Sequence, residues 1–133
     1  MGLNEARAKL RLAKKHLGRV QTAYWDPKDP EGAVTWAFYA YENAVVAAAE
    51  AIGLPWKKTH PSKVEVAGLL HQRGMLSLDV GEKIALLNEL RKDVEYGEPG
   101  PSLEEVDLED LSTELEEFIE EVERLVESGT RDA

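Results

Sequence analysis

Between residues 31 and 52 the chain carries apolar side chains on nearly every side of a helix, and this segment dictates what the rest must do. Val34, Phe38, Tyr41, Val45, Ala48 and Ile52 recur at helical spacing. Ala37, Ala40, Ala44, Ala47 and Ala51 form a second stripe, with Trp36 and Tyr39 adding bulk. A helix apolar around most of its circumference is stable only when neighbours cover it. The alanine stripe admits one neighbour closely, and Gly53 with Pro55 ends the helix. Two polar residues in its middle, Glu42 and Asn43, need partners inside the fold.

The covering helices are visible in the same way. Leu3, Ala6, Leu10, Ala13, Leu17, Val20 and Tyr24 make a heptad seam on a first helix, which Asn4 is placed to cap and which ends by Pro27 and Pro30. The stretch Trp56–Lys63 is expected to connect, and a short helix to run from about Val64 to Arg73, ended by Gly74. Asp79, with Glu82 as capping-box partner, opens a fourth helix whose core positions are Val80, Ile84, Leu87, Leu90 and Val94. The Gly97–Pro101 turn breaks it. Leu108, Leu111, Leu115, Phe118, Val122 and Leu125, widened by Ile119 and Val126, give a last helix that starts at Ser102 or at Asp107. No alternating strand pattern occurs. The fold class is therefore all-α: one up-and-down helical bundle of four long helices plus a short one over residues 1–128, with a disordered tail at 129–133.

Charge divides the chain. Residues 1–63 hold ten Lys/Arg against six Asp/Glu, whereas residues 64–133 hold six against twenty. The first helix turns Arg7, Arg11, Lys14, Lys15 and Arg19 outward, and the last is coated with glutamate. Either the two helices meet each other, or the first offers a surface to phosphates or an acidic partner. There is no cysteine, which removes disulfides, thiolate metal sites and cysteine nucleophiles. No signal-peptide core or membrane-length apolar run is present, so a cytoplasmic location without membrane contact is expected.

Metal and phosphate motifs fare poorly. The residues three before His16, His60 and His71 are Ala13, Lys57 and Gly68, which excludes the Glu-x-x-His of di-iron bundles. Glu116-Glu117-Phe118-Ile119-Glu120 resembles the first magnesium motif of MazG-like pyrophosphohydrolases, but the Glu-x-x-Asp needed on a later helix is missing. Phosphate-cradling glycine loops and nucleophile elbows are missing too. No metal and no cofactor is expected. Arg91 is the exception to this blandness: it shares a helix face with Ile84, Leu87, Asn88 and Val94, at the edge of the core. A guanidinium there needs a carboxylate, a phosphate or a partner chain. Glu95, four residues on, and Glu42, on the central helix, are its candidate partners within the fold.

Three segments carry a resemblance to a known family. They are Trp36–Ala44 on the alanine-rich helix, Lys58-Thr59-His60-Pro61-Ser62-Lys63 before the short helix, and Leu87-Asn88-Glu89-Leu90-Arg91 followed by Tyr96-Gly97 at a helix end. Together they resemble the HEPN superfamily over roughly residues 5–127, and Arg91-x4-Tyr96 is similar to that family's Arg-x4-His signature. The resemblance implies a helical bundle that pairs as a homodimer, with the arginine motifs of two subunits facing one cleft. It also implies a toxin–antitoxin or defence setting. In the family's metal-independent ribonucleases the arginine positions the scissile phosphate and the histidine assists attack by the RNA 2′-hydroxyl. Arg91 matches the arginine; Tyr96 stands where the histidine belongs, Lys92 follows the arginine, and Glu98 replaces a tyrosine of the extended motif. A phenol with a pKa near 10 is a poor general base at neutral pH. The resemblance thus implies an RNA-, nucleotide- or partner-binding module without efficient catalysis, with Arg91 and Tyr96 at its centre and Glu42, Asn43, His60, Lys63, Lys92 and Glu95 around them. The alternatives are a weak ribonuclease using Arg91 and Tyr96 across a dimer cleft, and a structural adaptor for a protein partner.

Overall fold

Every helix that the periodicity demands is present. The computed structural model describes residues 2–25, 30–96 and 106–132, and gives α1 (Leu3–Trp25), α2 (Pro30–Ile52), α3 (His60–Gln72), α4 (Gly81–Tyr96) and α5 (Leu108–Asp132). Among the described residues there is no strand. The chain is an all-helical bundle built around α2, which packs against each of the other four helices. α1 and α5 also pack on each other, as do α3 and α4, so α2 is shared by two helix pairs.

The core follows the seams. Ala33, Val34, Ala37, Phe38, Ala40, Ala44, Val45, Ala47 and Ala48 of α2 are fully enclosed. Ala6, Leu10, Ala13 and Val20 of α1 meet them from one side, with Leu111, Leu115, Ile119, Val122 and Val126 of α5. Ile84, Leu87 and Leu90 of α4 close the other side with Leu70 of α3. Burial of each such Leu, Ile or Phe stabilises the bundle by about 1.5–3 kcal/mol. Small side chains on α2 are what let α1 lie so close along its length. The two charged halves of the sequence meet here as well: Lys14 of α1 pairs with Glu123 of α5, and Gln21 reaches Glu116 at 3.5 Å.

Helix ends correct the sequence expectations in four places. α3 begins at His60, not near Val64, because Thr59 caps it: its side chain accepts from the Ser62 N–H, and Pro61 falls in the first turn, where no donor is missed. α1 already begins at Leu3, and its first turn is closed by the Ala6 N–H on the Gly2 carbonyl, so Asn4 lies within the helix and not at its cap. Asp79 does serve α4, but by taking the Gly81 N–H at 2.8 Å, two residues on. Asp107 caps α5, its Oδ1 accepting from Glu109 and Asp110 at 3.0 and 3.1 Å; Ser102 lies outside the described residues. α5 then runs to Asp132, through most of the stretch expected as a tail. Gly53 (φ 75°) and Gly74 (φ 74°) take the left-handed conformation that ends α2 and α3. No helix among the described residues is long and apolar enough to cross a membrane.

Candidate functional site

Glu42 is 3% exposed in the middle of the apolar α2, and a carboxylate so placed requires partners for both oxygens. The cap of α3 supplies them. By starting that helix at His60, Thr59 places His60 and Lys63 on one side of its first turn, three residues apart, against α2. His60 Nδ1 lies 2.6 Å from Glu42 Oε2, and Lys63 Nζ lies 3.5 Å from Glu42 Oε1. The Lys63 side chain is mostly buried, whereas that of His60 is 43% exposed. Ser62, between them, accepts the Lys57 N–H at 2.9 Å and holds the entering strand of chain in place.

One turn before Glu42 lies Phe38, fully buried, and its ring joins His60 to Arg91. The His60 ring meets Phe38 edge-on, with centroids 5.1 Å apart, and the Arg91 guanidinium carbon sits 5.1 Å from the same centroid. Arg91 Nη2 also donates to Asn88 Oδ1 at 2.9 Å, one turn back on α4. A neutral His60 that carries its proton on Nδ1, toward Glu42, leaves Nε2 as an acceptor. One carboxylate thus faces a lysine and a histidine, with Arg91 one ring away across Phe38.

The aromatic row continues along α2. Phe38 touches Tyr39 (5.4 Å), Tyr39 touches Trp36 (6.1 Å), and Trp36 stacks on His16 of α1 (5.2 Å, 18° between planes). Arg19 lies over Trp36 at 4.2 Å. His16 Nδ1 is buried and makes no hydrogen bond among the described residues. Burial, then Arg19 and Lys15, hold its pKa below the ordinary value. At the far end of α2 a second enclosed carboxylate, Glu50, takes Trp56 Nε1–H at 2.7 Å and the Gly2 N–H at 2.9 Å. Burial works to raise the Glu50 pKa, but these hydrogen bonds leave it lowered.

Of the residues singled out in the sequence, Glu42, His60, Lys63 and Arg91 come together. Two do not. Asn43 donates to the Tyr39 carbonyl at 2.8 Å, a local bond that settles its polarity within α2. Lys92 turns to Glu89 at 3.6 Å on the surface of α4. The expected pairing of Arg91 with Glu42 is replaced, since both carboxylate oxygens go to α3. Tyr96 is the last residue of α4; its side chain and that of Glu95 lie outside the described residues, as does Glu98. Helical spacing marks Phe38 only as core and does not show that it seats both His60 and Arg91; the Thr59–Pro61 cap signature is the local signal for this arrangement. Among the described residues no three His, Asp or Glu side chains converge as a metal shell would need. No family model matches this chain, and no curated protein matches it.

Proposed function

We propose that this chain is a HEPN-like helical module that binds RNA or a nucleotide through its phosphate, on the face where α2, α4 and the start of α3 meet. The observation that carries this reading is the placement of Arg91 and His60 on one Phe38 ring, with Lys63 alongside. Arg91 supplies the planar donor fork suited to a phosphate. The first turn of α3 adds its N-terminal dipole, and Lys57 and Lys58 precede it. The partly exposed rings of Tyr39 and Trp36, with Arg19, offer stacking surface for bases along the same helix. Pairing of two copies through this face would put two Arg91 side chains in one cleft.

One observation favours a second reading, a metal-independent ribonuclease. Glu42 orients His60 as carboxylates orient catalytic histidines, which offers a base where Tyr96 is a poor one. In that reaction His60 Nε2 takes the proton of the RNA 2′-hydroxyl while the 2′-oxygen bonds to phosphorus. The 5′-oxygen leaves and is protonated by water, and Arg91 holds the non-bridging oxygens. Fluorescence anisotropy and cleavage of a labelled single-stranded RNA panel in EDTA, with wild type, Arg91→Ala and His60→Ala, test both. The binding reading expects affinity to fall about tenfold in Arg91→Ala, as for a lost charged hydrogen bond, with no cleavage by any protein. The ribonuclease reading expects cleavage that both substitutions abolish. RNA and nucleotide affinity absent from the wild type would overturn the two together.

A further inference from the structure

A cavity of about 420 Å³ opens between α5, the α3–α4 connection and the first turns of α4, away from the Glu42 cluster. Its walls hold five carboxylates and two cations, so its potential is negative. One of the cations, Lys83, is already engaged by Glu114 at 2.9 Å. Glu121 accepts the Ser77 N–H and Asp79 the Gly81 N–H. Glu117 and Glu120 make no hydrogen bond or ion pair among the described residues, and both are exposed at the cavity rim. Acidic rims are common on such a helix; what distinguishes this one lies deeper.

Tyr41 lines the cavity and is 2% exposed, yet its hydroxyl makes no hydrogen bond among the described residues. The ring is buried and the hydroxyl, the one polar atom of this side chain, is left open to the cavity, where a ligand atom can bond to it in place of water. Burial, with Glu114 nearby, raises the phenol pKa well above its ordinary value, so the group stays neutral and can accept a hydrogen bond. The Tyr41 and Phe118 rings lie 5.5 Å apart and Leu78, 69% exposed, overhangs the mouth. Aromatic walls attract cations through their faces, and they shelter alkyl chain.

We infer that this cavity binds a linear alkyl diamine, with one ammonium at the Tyr41 hydroxyl, the methylene chain along Phe118 and Leu78, and the second ammonium between Glu117 and Glu120. Those two glutamates are neighbours on one face of α5, three residues apart. The absence of any converging metal shell among the described residues favours an extended organic cation over a divalent ion.

The test is a titration of the ¹⁵N-labelled chain with 1,4-diaminobutane at constant ionic strength, with butylamine and Mg²⁺ as comparison cations. The diamine is expected to shift amides around Tyr41, Ser77–Lys83 and Glu114–Arg124, and to bind at least about tenfold more tightly than butylamine, for the second ion pair. Tyr41→Phe should weaken it about fivefold, the equivalent of one hydrogen bond. The Glu117→Gln/Glu120→Gln pair should weaken it about tenfold or more. Equal binding of butylamine, equal displacement by Mg²⁺, or shifts spread over the whole acidic surface would overturn the inference. So would unchanged affinity in a folded Tyr41→Phe. If that variant does not fold, the wild-type shift map and the glutamine variants still decide the matter.

Discussion

Tyr41 and Glu42 are consecutive on α2 and almost equally buried, yet their polar atoms end in opposite conditions. Both oxygens of Glu42 are matched by side chains from α3, while the hydroxyl of Tyr41 faces a cavity with no partner among the described residues. The difference follows from what each group costs to bury. An unmatched carboxylate in a bundle interior is too expensive to keep charged, so the fold must bring cations to it. A hydroxyl that opens onto a cavity keeps its access to water and needs no partner from the fold. The Glu42 side gathers His60, Lys63 and Arg91, whereas the Tyr41 cavity is lined by five carboxylates and two cations, so one helix separates two surfaces of different composition.

The largest effect on this comparison should come from Phe38→Ala. It removes a fully buried ring that supports both His60 and Arg91, and should lower unfolding stability by about 3–5 kcal/mol in urea titrations while disordering the Glu42 side first. Next comes Glu42→Ala, which leaves the mostly buried Lys63 without its anion; a loss of about 2–3 kcal/mol is expected, below the fully buried case because His60 is partly open to water. Thr59→Ala should cost about 1 kcal/mol and shift the His60 side-chain resonances, since the cap is what aims that ring at Glu42.

A pH series sharpens the comparison with a third polar group. Because the folded pKa of His16 is lowered, the unfolded chain binds more protons just below 6.5, and stability should decline as pH falls from about 7.5 to 5.5. His16→Gln should flatten that slope, measured from urea midpoints at each pH. The smallest effect belongs to Tyr41→Phe. Removing a hydroxyl that bonds to no described residue should leave stability within about 0.5 kcal/mol of wild type, or raise it slightly. A loss above about 1.5 kcal/mol in thermal or urea melts would show that the hydroxyl is matched after all, and would erase the contrast with Glu42.

Much of the fold was legible because helical periodicity is a local property. Phe38, Tyr41 and Val45 on α2, and Leu111, Leu115 and Val122 on α5, declare their buried face without reference to any other segment. The start of α3 was not legible in the same way: Trp56–Lys63 is polar and contains Pro61, so it resembles a loop until Thr59 is recognised as a cap. The need of Glu42 for a partner could be read, but the partner could not. Both Arg91 and the pair His60–Lys63 were available, and the choice depends on where the first turn of α3 lands against α2. Nothing local in the sequence distinguishes Tyr41 from any other core aromatic, since an unsatisfied hydroxyl is defined by what fails to reach it.

The central position of α2 has a consequence for the order in which the bundle assembles. α1 and α2 are adjacent in sequence and pack along their lengths, so this hairpin closes with little loss of chain entropy and is expected to form early. α5 must return to the α1–α2 groove across a long sequence separation. While the protein is being synthesised, that groove stands open until residues 108–132 emerge from the ribosome, with Leu10 and Tyr41 exposed to whatever chaperone or aggregate reaches them first. The glutamate-rich outer face of α5 then makes the segment that covers this groove one that resists burial on its wrong side.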